Sequence, residues 1–261
     1  MLDSNSAMPL PASGKVSIDV KGASLRYLDS DAPTLSNLNL IFDANKWTVL
    51  LGRSGCGKTT VLRYLAGLLD DKIEFSGGFH TSDTEPLNGK VAYMAQQDLL
   101  LPWLSVLDNA CLSSKFDGSS SSLNTKQKAK ELLERVGLAD YLDAMPNQLS
   151  GGMRQRVALA RTLIQEKPVV LMDEPFSALD AVTRYKLQTL AAELLKEKTV
   201  VLITHDPQEA VRLADTLYVL HGSPAKAEQL GVPSSQPPRV IDGECAKLQQ
   251  TILEQLEVDY A

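Results

Sequence analysis

The sequence predicts an α/β fold: a mostly parallel sheet flanked by helices, an N-terminal antiparallel β subdomain and an inserted helical subdomain. Three observations carry that reading. Short apolar runs alternate with stretches of helical spacing, which is the pattern of a parallel sheet covered by helices. One strand-to-helix junction is a glycine-rich turn, from Gly52 to Thr59. Between about residues 99 and 155 the alternation gives way to helical patterning alone.

Residues 1–14 have a polar and small-residue composition and read as a disordered lead. Val16–Leu25 and Leu35–Ile41 read as two strands of a small antiparallel sheet. Trp47–Leu51 (WTVLL) is an apolar strand, and Lys58–Leu68 follows with helical spacing. Lys90–Ala95 reads as the next strand. Leu104–Leu112, Lys126–Val136 and Gly151–Ile164 form the helical insertion, and Asp117–Asn124 (DGSSSSLN) is a loop whose composition cannot build a core. Val169–Met172, Thr199–Thr204 and Thr216–Leu220 are short, bounded apolar runs, as buried parallel strands are. Leu187–Leu195 is helical. After Gly222 the chain turns Pro- and Ser-rich, and Glu244–Val258 reads as a terminal helix. Residues 15–222 are thus one domain and 223–261 a C-terminal extension.

Composition sets bounds. The 261 residues are 44% hydrophobic and 22% charged, ordinary for a globular domain with a sizeable core. A net charge of −6 argues against non-specific nucleic-acid binding, which leans on Lys and Arg. Cys56, Cys111 and Cys245 are odd in number and widely spaced, so neither a disulfide framework nor a zinc site is indicated, and a reducing compartment is the simpler reading. A membrane-spanning helix needs about 20 apolar residues. Leu99–Leu107, interrupted by Pro102, falls short, so any membrane span must come from another chain. No basic region followed by an apolar run marks a secretory signal at the N-terminus.

Gly52-Arg53-Ser54-Gly55-Cys56-Gly57-Lys58-Thr59 matches G-x-x-x-x-G-K-[ST] in full, after a strand and at the start of a helix. Glycines let successive N–H groups turn inward toward phosphate oxygens, and the helix N-terminus adds its positive end. Lys58 is placed to reach the β- and γ-phosphates and Thr59 to ligate Mg²⁺, with Thr60 beside it. Cys56 reads as an inert small residue. In Val169-Val170-Leu171-Met172-Asp173-Glu174, two carboxylates emerge at the C-terminal end of a buried strand, where open parallel sheets bind ligands. Asp173 would hold Mg²⁺, and Glu174 would act as general base on water. The two motifs together predict a Mg-nucleoside-triphosphate hydrolase without saying what the hydrolysis drives.

Leu149-Ser150-Gly151-Gly152-Met153-Arg154-Gln155 points further. It resembles the signature of the ABC transporter ATPases, and the resemblance covers nearly the whole chain from Val16 to about Gly222. Met153 departs from the commoner Gln. The resemblance implies that Ser150, Gly151 and Gly152 contact a phosphate of an ATP held by a second copy, in a head-to-tail dimer with two sandwiched nucleotides. Ser150 also reads simply as a helix N-cap. The resemblance further implies that Gln96 senses Mg²⁺ and the attacking water. Gln96 is chosen over its neighbour Gln97 by counting back from Leu101-Pro102-Trp103. Asp180, in Ser177-Ala178-Leu179-Asp180, is implied to touch the other protomer, His205 to contact the γ-phosphate, and Tyr27 to stack on adenine.

Leu100-Leu101-Pro102-Trp103 and the run Gly151–Arg161 resemble the ATPases of nitrate, sulfonate, taurine and thiamine-precursor (hydroxymethylpyrimidine) importers. That implies permease subunits as partners, a separate substrate-binding protein acting indirectly, and a peripheral location on the cytoplasmic face of the inner membrane. Leu99–Leu104 suits a permease-binding surface or the core of the helical subdomain. The tail after Leu220 looks most like the pyrimidine group, with taurine or sulfonate and nitrate as rivals. A soluble, non-transport ABC ATPase would usually carry two such domains or a long coiled coil. An ordinary P-loop kinase would not need Leu149–Gln155.

Overall fold

The computed structural model describes residues 15–69, 71–115 and 122–260. A six-stranded sheet forms the centre, built from β3 (Trp47–Gly52), β5 (Val91–Met94), β6 (Val169–Asp173), β7 (Thr199–Thr204), β8 (Thr216–His221) and β9 (Lys226–Leu230) in the order β5-β6-β7-β3-β8-β9. All neighbours are parallel except β9, which runs antiparallel to β8. Every residue of β3, β6 and β7 is buried, as a parallel sheet covered on both faces requires.

Strand alternation sorts these residues into two cores. Val49, Leu51, Val170, Met172, Val200 and Leu202 face one, while Leu50, Val169, Leu171, Val201 and Ile203 face the other. The first core is closed by α4 (Gly151–Leu163), α5 (Ala181–Leu194), α6 (Pro207–Leu213) and α7 (Gly243–Tyr260), through residues such as Leu159, Leu187, Val211 and Ile252. The second is closed by α1 (Lys58–Leu65) and by a separate antiparallel sheet. The small α2 (Val106–Ala110) and α3 (Ser122–Arg135) pack against α4 and each other, extending the first core into the helical subdomain.

Several elements depart from the sequence reading. The antiparallel sheet has three strands, β1 (Ile18–Tyr27) lying between β2 (Leu35–Phe42) and β4 (Ile73–Thr81). β4 has no fully buried residue, and its Gly77-Gly78 pair interrupts the alternation of Ile73, Phe75 and Phe79 that would betray a strand. The Pro-rich tail holds β9, which is drawn into the sheet by pairing with β8 rather than by its own composition. α3 begins at Ser122, so the end of the segment read as the loop Asp117–Asn124 is helical, while residues 117–121 lie outside the described ones. The proposed lead, residues 1–14, lies outside them too. α4 runs unbroken across residue 155, where the patterning had placed the end of the insertion. Among the described residues no helix is long and apolar enough to cross a membrane.

Candidate functional site

β3 delivers the glycine-rich loop and α1 receives it. The loop is shaped by contacts that admit no side chain: a Cβ on Gly52 would stand 2.3 Å from the Leu220 carbonyl oxygen, and one on Gly57 would stand 2.7 Å from Leu35 Cδ2. Gly57 caps α1 with φ at 102°, a left-handed turn open to glycine. The Lys58 ammonium is buried within the loop, donating to the carbonyls of Gly52 at 2.7 Å and Arg53 at 2.8 Å. Cys56 is buried beneath the loop.

β6 lies two strands away, across β7, and brings the carboxylates to the same end of the sheet. The Thr59 hydroxyl donates to Asp173 Oδ2 at 2.7 Å, closing the gap between the two motifs. Burial pushes the Asp173 carboxyl above its usual range, against the pull of the Thr59 hydrogen bond and the nearby Lys58 charge. Glu174 follows with φ at 51°, a strained conformation for a residue with a side chain. Its N–H donates to Ile203 O at 3.0 Å, and its carboxylate meets His205 Nδ1 at 3.0 Å. Glu174 is only 15% exposed, whereas His205 is 60% exposed.

A cleft of about 360 Å³ is lined by Tyr27, Ser54, Gly55, Gly57, Lys58, Thr59, Thr60, Gln96 and Glu174. The Tyr27 hydroxyl lies 3.2 Å from Thr60 Oγ1, which fixes the ring at the cleft wall. A part-buried hydroxyl–carboxylate pair with the Gln96 amide on the same cleft is a set of hard oxygen donors, and it fits Mg²⁺ rather than a softer metal. Among the described residues no group of three or more His, Cys, Asp and Glu side chains could hold a metal unaided, so phosphate oxygens would complete such a shell.

Ser150, Gly151, Gly152 and Asp180 do not line that cleft. Ser150 caps α4, accepting from Met153 N at 3.3 Å, and Asp180 caps α5, accepting from Thr183 N at 3.0 Å. Ser150, Gly151 and Asp180 are exposed. Gly152 has a purpose inside the chain as well: a Cβ there would lie 3.1 Å from Ala178 O, so the start of α4 rests against the Ser177–Asp180 turn.

Sequence reasoning missed the side chains that bind these loops together. Gln155, buried in α4, donates to Glu174 O at 3.0 Å and accepts from Ala178 N at 2.9 Å. Arg154 pairs with Asp98 at 3.0 Å, and Arg161 donates to Asp98 O at 2.6 Å and Leu99 O at 2.9 Å. Fully buried Asn109 donates to the carbonyls of Leu101, Leu104 and Ser105 and accepts from Leu101 N. The segment after Gln96 is therefore built from α4 and α2. It presents Leu99, 59% exposed, and Trp103, 68% exposed, while Leu100, Leu101 and Leu104 are partly covered. Leu100 packs against the core of the helical subdomain, whereas Leu99 and Trp103 stand open on the surface.

The ABC transporter family model matches residues 35–177. An uncharacterized ABC transporter ATP-binding protein of Haemophilus influenzae is 45% identical over 224 residues, covering 84% of this chain and 91% of that one. An aliphatic sulfonates import ATP-binding protein of Mesorhizobium japonicum is 38% identical over 258 residues, covering 96% and 94%. The dimeric ATP-binding cassette MJ0796, solved in a post-hydrolysis state with ADP and Pi, superposes with a TM-score of 0.73 at 29% identity, covering 84% of this chain and 100% of that one.

Proposed function

This chain belongs to the ABC transporter family of ATP-binding proteins, and from that premise we propose that it is the ATP-hydrolysing subunit of an importer for sulfonates. The observation that carries the enzymatic reading is the pairing of Thr59 with Asp173, with Glu174 and His205 beside it at one end of the sheet. The loop from Gly52 to Thr59 holds the phosphates through its N–H groups, and Lys58 leaves the Gly52 and Arg53 carbonyls to meet them. Thr59, Asp173 and Gln96 hold Mg²⁺, which neutralises phosphate charge when bound. Tyr27 stacks on adenine. Glu174 accepts a proton from the attacking water, and His205 orients that carboxylate and meets the γ-phosphate.

Ser150, Gly151, Gly152 and Asp180 complete the site of a second copy, in the head-to-tail arrangement. The dimeric cassette MJ0796 supports this reading, as does the exposure of Ser150, Gly151 and Asp180 away from their own cleft. The surface around Leu99 and Trp103 docks a permease subunit, which holds the chain at the inner face of the membrane, and a separate binding protein delivers the substrate. Relatives named for aliphatic sulfonate import, at 38% to 41% identity, favour a sulfonate over the thiamine-precursor pyrimidine that the tail resembles. Taurine falls within the sulfonate class, and nitrate remains a rival anion.

The test of the site is light scattering of Glu174→Gln with and without MgATP. A monomer that becomes a dimer only with ATP supports the shared site; a monomer under both conditions with ATP bound counts against it. The substrate is tested by uptake in cells lacking this chain. Loss of alkanesulfonate uptake with pyrimidine uptake intact supports the sulfonate class, and the reverse restores the pyrimidine reading.

A further inference from the structure

Two side chains grip the Ser177–Asp180 turn from opposite sides. From α4, Gln155 accepts from Ala178 N at 2.9 Å and donates to Ser177 Oγ at 3.3 Å. From α5, Arg184 divides its guanidinium: Nη2 donates to Leu179 O at 3.0 Å, and Nη1 meets Asp206 Oδ2 at 3.1 Å. Asp206 is the neighbour of His205. Its N–H donates to Thr204 Oγ1 at 3.0 Å, and its other carboxylate oxygen caps α6, accepting from Gln208 N at 2.9 Å. The His205 backbone is thereby held between two anchored residues, while its ring reaches Glu174.

The elements that carry these groups are locked to each other. Gln188 on α5 donates to the buried Glu209 carboxylate on α6 at 2.9 Å and accepts from Arg212 at 2.9 Å. Arg212 also donates to Thr189 Oγ1 at 2.8 Å and lies 3.9 Å over the Tyr185 ring. Side-chain hydrogen bonds thus tie α5 to α6, and the Arg184 fork adds a charged link from α5 and Asp206 to the turn, which Asp180 already joins to α5 through Thr183 N. The turn itself is open to contact, since Ser177, Ala178 and Asp180 are exposed.

We infer that Arg184 is a positioning residue for hydrolysis: it ties the Ser177–Asp180 turn to His205 through the Asp206 carboxylate, so that a contact made at the turn sets where the imidazole stands. The inference rests on the reading of Glu174 and His205 as the hydrolytic pair. The guanidinium suits the task because its donors are fixed in one plane, so Leu179 O and Asp206 cannot shift independently without breaking a charge-assisted bond. A lysine has one ammonium on a flexible stem and cannot hold both ends at a set distance.

The experiment is a double-mutant cycle on the full chain, with Arg184→Lys, His205→Ala and the double variant. It reads kcat at saturating MgATP, the dissociation constant for ATP, and the melting temperature. Arg184→Lys should lower kcat about tenfold, the scale of one charge-assisted hydrogen bond, with ATP affinity within about twofold of the parent. In the His205→Ala background the same substitution should lower kcat less than about twofold, because the residue it acts through is gone. Equal losses in both backgrounds, or a fall in ATP affinity matching the fall in kcat, would overturn the inference and leave Arg184 a simple staple between helices. Should Arg184→Lys melt below the assay temperature, Asp206→Asn breaks the same link from its other end and enters the same cycle. A His205→Ala single variant as active as the parent overturns the underlying reading as well, and is recognised because it involves no change at Arg184.

Discussion

The two glycine-opened helix starts of this molecule, at α1 and at α4, are built to different degrees of completeness. At one end, Lys58, Thr59, Asp173 and Glu174 already touch one another or their loop carbonyls, and they are wholly or mostly buried. At the other end, Ser150 and Gly151 open α4 into solvent, and Asp180 does the same for α5. Both ends are glycine-opened helix starts, so local chemistry does not separate them. What separates them is company. The first has β6, two strands along the same sheet, to supply carboxylates, whereas the second has the Ser177–Asp180 turn at its back.

That contrast can be broken by substitution. The largest effect is expected from Glu174→Gln, which removes the base but keeps the shape; phosphate release at saturating MgATP should fall by about 10² to 10⁴. A rate near the parent's would take Glu174 out of the chemistry. Next comes Ser150→Arg. It should leave ATP binding to the single chain within about twofold, since Ser150 does not line that cleft, while abolishing nucleotide-dependent dimer formation through a charged side chain in a close contact. Gel filtration with ATP reads it, and a normal dimer would mean that this helix start is not shared. Lys58→Ala should weaken ATP binding by about 10- to 100-fold, as loss of charge-assisted bonds to phosphate does. Calorimetric titration checks this, and unchanged affinity would erase the difference between the two ends.

The smallest effect concerns support rather than chemistry. Burial pushes the Glu209 carboxyl from an ordinary 4.5 up to about 7, with Asp206 adding to the rise and Thr204, Gln188 and Arg184 opposing it. Between those values the folded chain holds a proton that the unfolded chain has released, so stability falls as pH rises from 4.5 to about 7 and levels off above. Glu209→Gln keeps an acceptor for Gln188 and removes the titration. It should be more stable than the parent at pH 8 by a few kcal/mol at most, on the order set by the linkage. Thermal melts at pH 5, 6, 7 and 8 read this, and parallel curves for the two proteins would show that Glu209 does not govern the slope.

Much of the fold was legible because the information was local. β3, β6 and β7 are continuous apolar runs, and burial on both faces leaves no other arrangement for them. The glycine-rich loop was legible for the same reason: its spacing is a backbone requirement, and the close approaches at Gly52 and Gly57 are that requirement in space. β9 was not legible, since it is a strand by pairing rather than by pattern, and in β4 the Gly77-Gly78 pair breaks the alternation.

The sequence by itself determined the chemistry on offer: a phosphate loop, a pair of carboxylates at a strand end, and a second helix start of the same kind. Only the tertiary structure decided what those groups touch. It put Thr59 on Asp173 and His205 on Glu174 across strands distant in sequence, and it left Ser150 outside the cleft. It also recruited Gln155, quoted in a motif but given no role there, with Asn109 and Arg184, which belong to none, to fasten the loops. The physical reason is that a motif is written in backbone spacing, which is local, whereas a buried side chain's hydrogen-bond partners are chosen by whichever chain segments packing brings beside it.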